Sequence, residues 1–187
     1  MPLALALLLV PPDDPPSWTG VVLGVAIVAL GESVRLSAVR HIGVISRTRS
    51  DRLGPVIRTG PFARVRNPLY LGNIALWVGL AISARLTWLA PIFVVALGLE
   101  YHAIVLWEEE LLKQRRGDDY DTYAREVPRW IPSMVPASRT APRQDGQFPV
   151  ANPFYSWRET LFSERGTLIA IAAAYLLLWV KAATLPS

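Results

Sequence analysis

Uncharged apolar blocks alternate with short charged stretches along this chain of 187 residues. Residues 18–30 carry no charge, and the block continues to position 39 with Glu32 and Arg35 as its interruptions. Residues 69–84, 86–99 and 167–180 are likewise uncharged. A soluble domain of this size scatters its charges over every surface helix, whereas here they collect between the blocks. A bilayer core asks for about 20 helical residues, with shorter helices accommodated by tilt, local thinning or snorkelling flanks. With flanks included, each block meets that requirement, so the pattern predicts an all-α, polytopic membrane protein of about four spans. Residues 2–10 are too short to span and lack the basic start and small-residue cleavage site of a secretory signal. They are expected to lie at the interface or to be the remnant of a further helix.

Breakers set the connections. Gly43, Gly54 and Gly60 with Pro55, Pro61 and Pro68 rule out a continuous helix after the first block. Pro68 holds Asn67 extended and can begin the next helix, which places Arg66 and Asn67 just before a helix N-terminus. Blocks two and three form a hairpin whose turn holds Ser83, Arg85 and Thr87. The second arm emerges carrying Glu108, Glu109 and Glu110, Gly117 stops it, and Asp118 can cap a new helix. There Tyr120, Tyr123, Ala124 and Val127 follow i, i+3, i+4, i+7 on one face, which Pro128 ends. Interfacial helices are expected beside the spans, one of them over residues 152–166, where aromatic and charged residues mix. The chain reads as one domain, 1–187, with a core at 24–132, a connection at 133–164 and a last span at 165–183.

Charge orients these spans. Arg40, Arg47, Arg49, Arg52, Arg58, Arg64 and Arg66 fall between the first two blocks, against Asp51, and a second basic group including Lys113, Arg115, Arg125, Arg139 and Arg143 lies between the third and fourth. Positive loops stay cytoplasmic, so these two regions are expected there and the turn at 83–87 on the other side. The net charge of +4 is accordingly read as topology and attraction to anionic lipid, with no nucleic-acid partner. With no cysteine and two histidines, His41 and His102, no metal site is expected.

Several side chains have two readings. Glu32 and Arg35, one turn apart, suit a snorkelling structural pair or a ligand contact. Glu100 and His102 sit in the third span, where ionisable groups are costly and by default functional. His102 and Glu109 are seven residues apart, about 20° from eclipsed on a helix, and can face one cavity, or His102 bonds a neighbouring helix and does nothing else. Tyr70 is either an aromatic-belt residue or a partner for a flat ligand whose approach Gly72 permits. Glu108 and Glu109 are either the polar exit of a span or carboxylates for a ligand with a cationic centre and hydroxyls. Arg129 suits a carboxylate or phosphate, on a ligand or on a lipid head group.

Two motifs bring these residues together. Arg66, Asn67, Pro68, Tyr70 and Gly72 before the hairpin, and Glu108, Glu109, Leu112, Gly117, Tyr120 and Tyr123 after it, closely resemble the signature of the integral-membrane methyltransferases that include isoprenylcysteine carboxyl methyltransferase and the phospholipid N-methyltransferases. Asn67 stands where that family often has His, and an amide can donate a hydrogen bond as an imidazole can. Arg116 stands where it often has Phe.

The resemblance implies methyl transfer from S-adenosylmethionine to a lipid or prenylated acceptor at the cytoplasmic membrane face. It implies cofactor contacts at Arg66, Asn67, Pro68, Tyr70, Leu71, Gly72, Glu108, Glu109, Tyr120 and Tyr123, with Glu109 and Arg129 catalytic. The membrane and its lipids are the expected partners, and the oligomeric state stays open. The alternatives are a membrane reductase of the sterol-reductase type using NADPH and a non-catalytic membrane scaffold.

Overall fold

The computed structural model describes residues 2–13, 17–43, 56–137 and 155–184, and all regular structure among them is helical. In order come α1 (Pro2–Leu9), α2 (Trp18–Ile42), a 3-10 turn (Gly60–Ala63), α3 (Pro68–Ser83), α4 (Leu89–Arg116), α5 (Asp118–Glu126) and α6 (Trp157–Thr184). The stretch holding Arg47, Arg49, Asp51 and Arg52, and the connection holding Arg139 and Arg143, lie outside the described residues.

Among the described residues three helices, α2, α4 and α6, are long and apolar enough to cross a membrane. α3 has 16 residues. That is about 24 Å of helix against a hydrocarbon core of about 30 Å, so the fourth expected span is shorter than the others. α6 begins at Trp157, not near residue 165, and the expected interfacial segment is its first part. The reason is local. Glu159 accepts from the Ser156 backbone N–H at 2.8 Å while the Ser156 hydroxyl accepts from the Glu159 N–H at 3.3 Å, a reciprocal cap that starts the helix there.

The chain folds as two compact units. The first comprises Met1–Ser33, Gly72–Tyr101 and Glu164–Ser187. Within it α2 and α3 pack antiparallel through glycines: a Cβ on Gly24 would lie 2.6 Å from the Gly79 carbonyl oxygen, and one on Gly31 would lie 2.8 Å from that of Gly72. Such backbone contact is how membrane helices associate where the hydrophobic effect offers nothing. α3 and α4 meet through Trp77 stacked on Phe93, centroids 5.3 Å apart, with Leu86 and Leu89 buried beside them. On α6, Lys181 Nζ donates to the Leu7 carbonyl at 2.7 Å and so caps the end of α1.

The second unit comprises Val34–Leu71 and His102–Ser163. Gly117, at φ +49°, ends α4 and occupies the capping position of α5, which sequence reasoning gave to Asp118. Asp118, Asp119 and Asp121 fall in the first turn of α5, where the helix dipole favours negative charge. Tyr120, Tyr123 and Val127 are buried together, as their spacing predicts.

Candidate functional site

Pro68 starts α3 as its fixed φ prescribes, and the residues before it are pinned by the strap that follows α5. The Arg66 N–H donates to the Pro128 carbonyl at 2.9 Å, and Asn67 Nδ2 donates to the Arg129 carbonyl at 3.2 Å. Arg64 continues the seam: its carbonyl accepts from the Ser133 N–H at 2.8 Å, and its guanidinium donates to the Ser133 and Met134 carbonyls. Asn67 thus uses its amide to hold the strap, a task an imidazole N–H could also perform.

The seam brings Glu109, at the polar end of α4, between two guanidiniums. Arg129 makes a bidentate pair with it, Nε to Oε1 at 3.0 Å and Nη2 to Oε2 at 2.7 Å. Arg66 Nη1 lies 3.0 Å from Oε1. Glu109 is 5% exposed, so the cluster is largely withdrawn from water and its bonds are of the strong, charge-assisted kind. The pairing raises the Arg129 pKa above its ordinary value, mainly through the hydrogen bonds it donates to Glu109. Both carboxylate oxygens are engaged by N–H donors, so Glu109 is built to hold arginines in place.

Beside it Tyr70, on the first turn of α3, donates its hydroxyl to Glu108 Oε1 at 2.9 Å. The two sequence motifs are therefore joined at two points, Tyr70 to Glu108 and Arg66 to Glu109. Tyr123 donates to the Phe62 carbonyl at 3.0 Å. Burial raises the pKa of both Tyr120 and Tyr123, against the opposing pull of the nearby Arg66 guanidinium, so both phenols stay neutral donors.

Other expectations land elsewhere. His102 Nδ1 accepts from Trp130 Nε1 at 3.2 Å, so His102 and Glu109 face the same strap and take successive residues of it, Trp130 and Arg129. At Gly72 the backbone of α3 is closely approached by α2, a Cβ on Gly31 falling 2.8 Å from the Gly72 carbonyl oxygen. Pro68 is fully buried, Leu71 partly so, and Glu100 is exposed on α4. Sequence reasoning passed over Arg58, which is buried and donates Nη2 to the Asp119 carbonyl at 2.6 Å and to its Oδ1 at 2.7 Å, 61 residues away. Nothing local marks it among its neighbouring arginines. Among the described residues no group of three or more His, Asp or Glu side chains could hold a metal ion.

The family model for phospholipid methyltransferases matches residues 19–118, more than half of the chain. The chain belongs to that family. In this phospholipid methyltransferase relative the matched region runs from α2 to the first residue of α5 and so includes Arg66, Tyr70, Glu108 and Glu109. The chain is also similar to the nickel-cobalt-cadmium resistance protein NccN of Alcaligenes xylosoxydans xylosoxydans, at 36% identity over 90 residues, 48% of this chain and 40% of that protein. It thus spans about two fifths of that relative's length. No solved structure matches it.

Proposed function

We propose that this protein transfers a methyl group from S-adenosylmethionine to a nucleophile in the head group of a membrane phospholipid, at the cytoplasmic face. The observation that carries the reading is the joint between the two motifs: Tyr70 bonded to Glu108 beside a Glu109 held by Arg66 and Arg129.

The residues fit such a cofactor. Arg66 Nε is buried and has no hydrogen-bond partner among the described residues, a donor held ready for an oxygen-rich or heteroaromatic group. Glu108, half-buried with the Tyr70 hydroxyl on one oxygen, suits an ammonium group or ribose hydroxyls. Arg66, Asn67, Tyr70 and Glu108 would hold the cofactor, on the backbone of Pro68 and Leu71, with Tyr120 and Tyr123 as the wall behind them. When bound, S-adenosylmethionine supplies an electrophilic methyl group on a sulfonium.

The chain's own task is then alignment, exclusion of water and management of one proton. Arg129, whose side chain is 31% exposed, is placed to bind the lipid phosphate while Glu109 fixes its direction. Glu109 acts as a positioning residue and Arg129 as the one that touches substrate. Glu108 is the carboxylate suited to accept a proton from an amine acceptor.

S-adenosylhomocysteine at about a hundred times its Kd should stabilise the detergent-solubilised protein by about 2.7 kcal/mol, read as a raised Tm, and NADPH should not. No shift with S-adenosylhomocysteine, or a shift with NADPH, would overturn the cofactor assignment. For the face, single cysteines at Arg64 and Trp88 in this cysteine-free chain report orientation through an impermeant reagent applied to intact cells. Labelling at position 64 from outside would place the site on the other side.

A further inference from the structure

The strap after α5 carries an exposed apolar surface that the methyl-transfer site does not use. Residues 130–137 hold no charge, and Ile131, Met134 and Val135 are 80%, 88% and 75% exposed. The helix before them does the opposite: α5 turns Asp118, Arg125 and Glu126 outward and buries its apolar face. Irregular backbone in water takes many of its hydrogen bonds from solvent, and its exposed side chains are then mostly polar.

The strap takes its hydrogen bonds from protein instead. Pro128, Pro132 and Pro136 bring no N–H to satisfy. The Pro128 carbonyl accepts from the Arg66 N–H and the Arg129 carbonyl from Asn67 Nδ2. The Ser133 and Met134 carbonyls share the Arg64 guanidinium, and the Val135 carbonyl accepts from the Ser133 hydroxyl. In return the Ser133 and Ala137 N–H groups donate to the carbonyls of Arg64 and Ala63, and that of Val135 to the Ser133 hydroxyl. Irregular chain is tolerated at membrane depth only where protein meets its polar groups in this way.

The polar end of α4 supplies a ruler for that depth. Trp107, exposed and just before Glu108, stands where an aromatic-belt residue belongs. His102 lies on its apolar side, about 7–8 Å along the helix. The Trp130 indole donates to His102 while the neighbouring Arg129 reaches Glu109, so the strap is held by two contacts on opposite sides of the belt level. Every residue of this seam belongs to the second unit.

We infer that the strap is a membrane-docking element: Ile131, Met134 and Val135 enter the acyl region of the leaflet beside the polar end of α4, and a lipid surface covers them. Its depth is that of an interfacial segment, with apolar side chains sunk below the head groups and the arginines beside them at head-group level. Docking of this kind needs no methyl transfer.

Single cysteines are placed in this cysteine-free chain at positions 131, 134 and 135, with Leu99→Cys as the lipid-facing reference and Lys113→Cys as the aqueous one. Each full-length variant carries a nitroxide in vesicles of phosphatidylcholine and phosphatidylglycerol. Collision with oxygen, which concentrates among acyl chains, is compared with collision with a water-soluble nickel chelate. The strap sites should match Leu99→Cys, with an oxygen-to-nickel ratio several-fold above that of Lys113→Cys. A ratio at the Lys113→Cys level would leave the strap in water and overturn the docking. Weak collision with both agents would show a protein cover, another part of the chain or a second copy, and would overturn it equally. These side chains are exposed, so an unchanged Tm is expected in all three variants. Trp130→Phe, which removes the donor to His102, should lower the ratio at position 131 toward the aqueous value; an unchanged ratio would overturn His102 as the anchor.

Discussion

The two units solve the same problem, holding helices together, with opposite means. In the first, α2 and α3 touch backbone to backbone at Gly24 with Gly79 and at Gly31 with Gly72, and the rest is apolar side chains around Trp77 and Phe93. In the second, irregular segments are tied by guanidiniums: Arg58 to Asp119, Arg64 to the strap carbonyls, Arg66 and Arg129 to Glu109. Packing of this kind leaves no charge to be balanced, although its glycine contacts admit no added atom. A charge cluster is unforgiving, because removing one member leaves the others buried and uncompensated. The difference shows where the chain invests in geometry, and it predicts that substitutions in the two units fail differently.

The largest effect should come from Glu109→Gln. The side chain keeps its size, but one oxygen becomes an NH2 facing a guanidinium N–H, and the charge that balances Arg66 and Arg129 is gone. We expect a loss of about 3 kcal/mol in thermal unfolding and, through misplacement of Arg129, a fall of about 10²-fold in turnover. Unchanged Tm and near-normal turnover in the purified protein would erase the distinction between the units.

How much of this was legible follows the same divide. Uncharged blocks announce helices, and α2, α3 and α4 fall on them; Pro68 and Gly117 mark their ends by backbone geometry that any sequence must obey. The buried face of α5 was legible because three residues at helical spacing carry it. The start of α6 was not, although Ser156 with Glu159 is a capping signature, because aromatic and charged residues around it suggested an interfacial piece. Arg66, Glu109 and Arg129 were each named from the sequence, yet their mutual pairing was not. It joins positions 43 and 20 residues apart, and no local rule links them. His102 was matched to Glu109 by helical phase, and the two do meet adjacent strap residues, but nothing local named Trp130 and Arg129 as the partners.

Gly31→Ala tests the packing side. The new Cβ would sit 2.8 Å from the Gly72 oxygen and 2.9 Å from the Ala75 Cβ, and neither can swing aside as a flexible side-chain end could. Overpacking should cost about 1–3 kcal/mol, seen as a lowered Tm, while S-adenosylhomocysteine affinity stays within about threefold. A matching loss of affinity at unchanged Tm would mean the glycine seam serves the ligand and not the fold.

Alkali should act on the second unit. Tyr120 and Tyr123 have pKa values raised in the fold, chiefly by burial, above an ordinary value near 10. Their neutral forms therefore contribute stability that is fully present below pH 10 and is lost as pH rises from there toward the folded values. Each should give a slope of up to about 1.4 kcal/mol per pH unit in that window. Tyr123→Phe should flatten the slope in unfolding measurements. An equally steep loss in that variant would trace alkaline sensitivity to another group.

Tyr70→Phe is gentler. It removes the hydroxyl that donates to Glu108 and leaves the ring in place. Because both groups are half-buried, the stability cost should be about 1 kcal/mol. The proposed role adds a readout: Kd for S-adenosylhomocysteine should rise by about tenfold, since Glu108 loses the partner that orients it. A stability loss with unchanged Kd would make the Tyr70–Glu108 bond structural.

The smallest effect, and the sharpest control, is Gly98→Ala on α4. A Cβ there would meet nothing within 4 Å, in contrast to Gly31, though both glycines lie in apolar helices of the first unit. With no neighbour to displace, the remaining term is the backbone freedom that glycine loses in a helix, so alanine should stabilise by about 0.5–1 kcal/mol. The same substitution should therefore raise the Tm at position 98 and lower it at position 31. Had glycine been placed throughout this unit only because small residues suit membrane helices, the two substitutions would shift the Tm alike. A loss at position 98 as large as at position 31 would show that the exposed face of α4 is covered by a tightly packed partner helix, and the first unit could no longer be described by its internal packing.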